Sequence, residues 1–151
     1  MEALLKTWKT SRKLYAGFFD QYTLEQLNTI PQGYSNNLIW NIGHIIVAQQ
    51  SLIYRLSGLP MLVTDELFNR YKPGSRPEAP VTQAEADELK QLLHSEVEQF
   101  ETDYAVGKFV SFTERMTATG FHLANLNDAL EFNNYHEGLH LGYMMGIRKF
   151  V

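Results

Sequence analysis

Apolar residues return every three or four positions along most of the chain, in runs separated by glycine and proline. The first run, Glu2 to Tyr22, puts Leu4, Leu5, Trp8, Tyr15, Phe18, Phe19 and Tyr22 on one face, which predicts an amphipathic helix. Pro31 and Gly33 mark a connection, with one helical turn expected near Leu24 to Asn28. Ser35 is the expected N-cap of a second long helix that runs to about Ser57, where Gly58 and Pro60 supply the stop. The first half of that helix is apolar nearly all round, so it is expected to be the most buried of the set.

Leu59 to Pro80 reads as irregular, because three prolines and Gly74 between Lys72 and Pro80 exclude a long helix. Thr64 is placed to cap a short one through Tyr71. Thr82 and Glu85 predict a capping box that opens a third long helix, with Leu89, Leu92, Leu93, Val97, Phe100 and Tyr104 as its buried stripe and Gly107 at its end. Phe109 to Leu123 is a connector rich in threonine and aromatics, with a turn at Gly120 and room for a short extended pair. Asn125 or Asn127 caps the last helix, which continues almost to Val151. Four long helices, with no repeat and no low-complexity tract, predict an all-α four-helix bundle. At 151 residues the chain is of single-domain size, one domain over 1–151.

Composition narrows the chemistry. Cysteine is absent, which suits a reducing cytoplasm and removes thiolate nucleophiles and ligands, so any metal site must use nitrogen and oxygen. Thirteen basic against seventeen acidic residues give a net charge of -4 with no basic cluster. Nucleic acid and anionic membranes are therefore not expected as partners. The amino terminus lacks an apolar core of signal-peptide type, and the apolar run Leu38 to Ala48 is broken by Asn41, Gly43 and His44 and is too short to span a bilayer.

The sharpest local signal is His136-Glu137-Gly138-Leu139-His140. Two histidines four apart on a helix differ by about 40° in direction and about 6 Å in rise, so both imidazoles can reach one ion. His44 strengthens the signal, because it sits mid-way along the most apolar helix, where an unpaired imidazole would be desolvated without compensation. It shares a face with Trp40, Asn41, Val47 and Ala48. Side chains projecting from facing helices are how bundles build metal sites. Three neutral nitrogens with open positions suit a catalytic divalent ion, and zinc, nickel, copper and iron all accept them. Trp40, Asn41, Asn133 and Tyr143 lie near the histidines along their helices, placed to line a pocket or orient the imidazoles. His94 falls off the third helix's stripe and is expected in solvent, and His122 lies in the connector.

His136 to His140 also matches the H-E-x-x-H pattern of zinc proteases, in which the glutamate is the general base. That chemistry needs a further ligand downstream, and the eleven residues after His140 contain no His, Asp or Glu. Glu137 points about 60–100° away from the histidine stripe. It reads as a group supporting the ligands or as a surface carboxylate, and the surface is the expectation. Gly138, Gly142 and Gly146 recur on the face away from the histidines, each costing about 1 kcal/mol of helix propensity. Close helix packing inside the bundle is the expected reason, ahead of a dimer contact.

Ile30-Pro31-Gln32-Gly33-Tyr34-Ser35 followed by Trp40-Asn41-Ile42-Gly43-His44 resembles the second-helix entry of the DinB-like superfamily. Ser57-Gly58-Leu59-Pro60 and His136-Glu137-Gly138-Leu139-His140-Leu141-Gly142 resemble that group's second-helix exit and final-helix motif, and the resemblance spans essentially the whole chain. It departs at Leu141 and Tyr143, where Arg and Gln are frequent. The resemblance implies an up-down-down-up bundle with a divalent ion, often nickel or zinc, on His44, His136 and His140. It also implies a homodimer and relatives that are metal-dependent thiol transferases and isomerases. The expected function is a metal-dependent hydrolase or thiol S-transferase acting on a small molecule, the latter with a low-molecular-weight thiol as co-substrate. The alternative is a non-catalytic metal-binding or stress-response interaction module.

Overall fold

In the computed structural model, which describes Met1–Val151, six α-helices follow one another along the chain. They are α1 (Glu2–Gln21), α2 (Leu24–Asn28), α3 (Leu38–Gln49), α4 (Asp65–Tyr71), α5 (Gln83–Ala105) and α6 (Leu126–Ile147). α3 continues as a π-helical stretch, Gln50–Arg55, and a 3-10 turn, Arg148–Phe150, extends α6. Between α5 and α6 a minimal antiparallel pair, β1 (Arg115–Met116) and β2 (His122–Leu123), sets Arg115 opposite Leu123. No helix is long and apolar enough to cross a membrane.

Cross-helix bonds give the directions of the four long helices. Lys9 meets Glu101 and Lys90 meets Asp20, so α1 and α5 run antiparallel. Asn134 reaches Leu4 while Trp8 and Arg12 reach Glu137, so α1 and α6 run parallel. His44 lies by His136 and Asn41 by His140, which makes α3 antiparallel to α6. The bundle is up-down-down-up, with α1 and α3 each packed between α5 and α6.

Every residue of α3 is buried, as its apolar sequence predicts. At Gly43 the absence of a side chain has a definite use. A Cβ there would lie 2.5 Å from the Tyr71 ring, so only glycine lets α4 seat against α3.

Several details depart from the sequence expectations. α3 starts at Leu38, not after Ser35, because Asn37 is the better-placed cap: its carbonyl oxygen accepts from Trp40 N (2.9 Å) while its amide donates to Asn28 O (2.8 Å). The box at Thr82 is half formed. Thr82 Oγ1 accepts from Glu85 N, but the Glu85 carboxylate is drawn instead to Arg70 (3.0 Å) and the Tyr71 hydroxyl (2.5 Å). A complete box stands at Thr23 and Gln26. Tyr104 is exposed and its neighbour Asp103 is buried, held by Tyr54, Gln99 and Lys108. Gly138 and Gly142 are not at an internal helix crossing, since a Cβ at either would meet nothing within 4 Å. They lie on the outer surface of α6.

Candidate metal centre

α3 and α6 face each other across a small gap that collects three imidazoles. The ligand-capable atoms of His44, His136 and His140 all lie within 4.8 Å of one another. His44 is buried and the other two are half-buried. His44 Nε2 and His136 Nε2 stand 3.4 Å apart. That separation matches the roughly 3.3–3.4 Å edge of a tetrahedron with metal–nitrogen bonds of about 2.0–2.1 Å.

The other ring nitrogens decide which atoms face the gap. His44 Nδ1 donates to the Tyr71 carbonyl at 2.8 Å, and His140 Nδ1 donates to Asn41 Oδ1 at 2.8 Å. The Asn41 amide is oriented in turn, with Nδ2 donating to Asn37 O (2.7 Å) and Asn36 Oδ1 (3.0 Å). Both rings are thus fixed with Nε2 as the free lone pair, the arrangement that ligating histidines adopt. His136 differs: its buried Nδ1 has no partner, and its ring stacks on Phe132 at 5.8 Å. Trp40 lies flat against His44, 4.9 Å between centroids and 14° from parallel.

Burial lowers the pKa of all three imidazoles, to about 4 at His136 and about 3 at His140, where the neighbouring rings add to the effect. At neutral pH the group is three uncharged nitrogen donors, the form that binds a cation. The donor set fits a borderline divalent ion such as zinc or nickel. It contains no carboxylate. Beside it a cleft of about 300 Å³ is lined by Asn36, Asn41, Leu139, His140 and Tyr143.

Among the supporting residues expected from the sequence, Asn41 orients a ring, Trp40 walls His44 and Tyr143 lines the cleft. Asn133 does not line it; its amide donates to Glu137 Oε1 at 3.0 Å, on the other side of α6. Glu137 is not at the surface: it is 0% exposed, with Trp8 Nε1 (2.8 Å) and Arg12 Nε (3.0 Å) donating to the same oxygen. Nearby Glu96 is also buried, and loss of hydration raises its pKa to about 8 despite Arg12 at 3.8 Å. His94 is exposed, and His122 is exposed beside Glu114, both away from the centre. Sequence reasoning missed Asn36, Leu139 and the Tyr71 carbonyl. Leu139 was within reach of it, lying one residue before His140.

No curated protein matches the chain. The family model of the DinB superfamily matches residues 7–144, which takes in all three histidines, and the chain belongs to that superfamily.

Proposed function

We propose that the chain is a metal-dependent enzyme acting on a small molecule, a thiol S-transferase or a hydrolase, with His44, His136 and His140 as ligands. The observation that carries this reading is the combination of three converging neutral imidazoles, no carboxylate among them, and a cleft that begins at His140. A structural ion is ordinarily closed over by a fourth protein ligand, whereas a catalytic one keeps a position open. A divalent ion held by His44, His136 and His140 would supply a Lewis acid that lowers the pKa of a thiol or water.

The chain's own residues do the rest. The Asn36 amide and the Tyr143 hydroxyl offer polar contacts to a substrate in the cleft. Leu139 supplies apolar surface for its stem. Tyr135, Leu139, Tyr143 and Met145 are exposed on α6, and Glu137, the only charged residue between Glu131 and Arg148, points inward. That uncharged face, bare at Gly138 and Gly142, suits a second copy of the chain, and a homodimer belongs to the proposal.

The test begins with metal analysis of the purified protein beside His44→Ala. Near-stoichiometric zinc or nickel in the parent, lost in the variant, followed by turnover of a thiol with a panel of electrophiles or of hydrolysable esters, is the expected result. Metal absent from both after reconstitution removes the enzyme reading and leaves an interaction module.

A further inference from the structure

This reading leaves unused the carboxylate of Glu137, which is completely buried. Its Oε1 receives Trp8 Nε1, Arg12 Nε and Asn133 Nδ2, with Arg12 Nη2 at 2.9 Å. Its Oε2 is buried without a partner. The same residue's backbone carbonyl accepts from the Tyr15 hydroxyl (2.5 Å), and one turn earlier Asn134 Nδ2 donates to Leu4 O (3.1 Å). α1, which supplies no candidate ligand, therefore holds α6 from Leu4 to Tyr15.

Apolar ridges alone fix a helix against its neighbour only loosely, since sliding by a fraction of a turn exchanges one apolar contact for another. A buried ion pair adds little stability over well-packed apolar groups, and its best-attested use is to specify register. The histidines need such a device unequally. His44 and His140 each have an Nδ1 hydrogen bond that holds the ring from behind, and His136 Nδ1 has no partner. Its place is set by the backbone of α6, and along a helix one residue is tied to the next by a fixed 1.5 Å and 100°.

We propose that Glu137, anchored by Trp8 and Arg12 of α1, is a positioning residue that sets the rotation and axial register of α6 and so places His136 and His140 opposite His44. This rests on the metal reading above. It makes α1 part of the centre without contact to it.

Cobalt(II) binding to metal-free protein tests it, read as the dissociation constant and the visible ligand-field bands well below the melting temperature. Glu137→Gln keeps the shape and removes the charge that gathers the donors. The expected result is binding weakened about tenfold or more, with shifted bands and unchanged helical circular dichroism. Trp8→Phe removes one donor and is expected to weaken binding about threefold, the worth of one hydrogen bond. A lowered melting temperature with the parent's affinity and spectrum means that Glu137 only stabilises the fold, and overturns the proposal. Should Glu137→Gln not fold, Trp8→Phe decides alone, an unchanged constant being fatal. His44→Ala separates the two layers. A parent that binds no cobalt removes the metal reading and this inference with it, whereas binding lost in His44→Ala but intact in Glu137→Gln removes this inference alone.

Discussion

The two sides of α6 handle polar groups in opposite ways. Toward α3, His136 and His140 are half-buried and uncharged, with their ligand-capable atoms gathered at one point beside a cleft. Toward α1, Glu137 is fully buried and charged, and its donors converge on one oxygen. The first side has unused bonding capacity pointing at an accessible gap, which is what a binding site requires. The second uses charge where no ligand can reach, which is what a fixed joint requires. A helix carrying both is rigidly set on one face and chemically available on the other.

The largest effect should come from breaking the joint. Arg12→Met leaves Glu137 and Glu96 buried without their guanidinium, a loss of about 3–5 kcal/mol. For a chain of this size that is a fall of about 10 °C in melting temperature. Calorimetry of the metal-free protein checks it, and a fall of only a degree or two would mean that the α1 side is ordinary packing. His44→Ala, by contrast, should abolish metal binding while lowering the metal-free melting temperature far less.

These two sides were not equally legible. The histidines announced themselves because their residue type is scarce, their spacing is that of a helix face, and His44 stood out against an apolar run. Glu137 was read as a surface group because a carboxylate on a helix is ordinarily solvated, and its angle to the histidines is compatible with either fate. What buries it is Trp8 and Arg12, more than 120 residues earlier. Arg12 fills the gap in the apolar stripe of α1 between Trp8 and Tyr15, where an arginine reads from sequence as a break in the stripe. Helix periodicity reveals which face turns inward but not which distant partner will neutralise a charge there. Gly138 and Gly142 failed for a related reason, whereas Gly146 does face the Tyr34 hydroxyl, 3.4 Å from where its Cβ would stand. Helix propensity registers their cost but not what surrounds them, which depends on α6's neighbours. The helices themselves, their order and their breaks were readable because glycine, proline and capping residues act locally.

A smaller effect should mark the histidine side. Asn41→Ala removes the acceptor that holds His140 Nδ1 and leaves α3's packing largely intact. Losing such a supporting partner costs about 10–100-fold in metal affinity. Competition with a chromophoric chelator measures it, and affinity unchanged within twofold would show that His140 needs no orienting partner. Stability should move by less than the Arg12 change, which is the contrast between the two faces in its plainest form.

The smallest effect concerns pH, where the two sides pull in opposite directions in metal-free protein. The imidazoles have folded pKa values below their unfolded value of 6.5, so the unfolded chain binds more protons as pH falls beneath 6.5, and stability drops with acid. Glu96 is the reverse. Its folded pKa of about 8 lies above its unfolded value of 4.5, so the folded chain holds the extra proton between them, and stability drops as pH rises through that window. Between pH 4.5 and 6.5 the trends oppose each other, and from 6.5 to 8 Glu96 acts without the histidines. The parent's melting temperature should therefore fall between pH 6.5 and 8 by an amount worth about 1–2 kcal/mol. Glu96→Gln, which carries no proton to lose, should stay level over that range and keep the acid-side decline. A parent curve as flat as the variant's would show that Arg12 holds Glu96 ionised, with its single charge shared between two carboxylates.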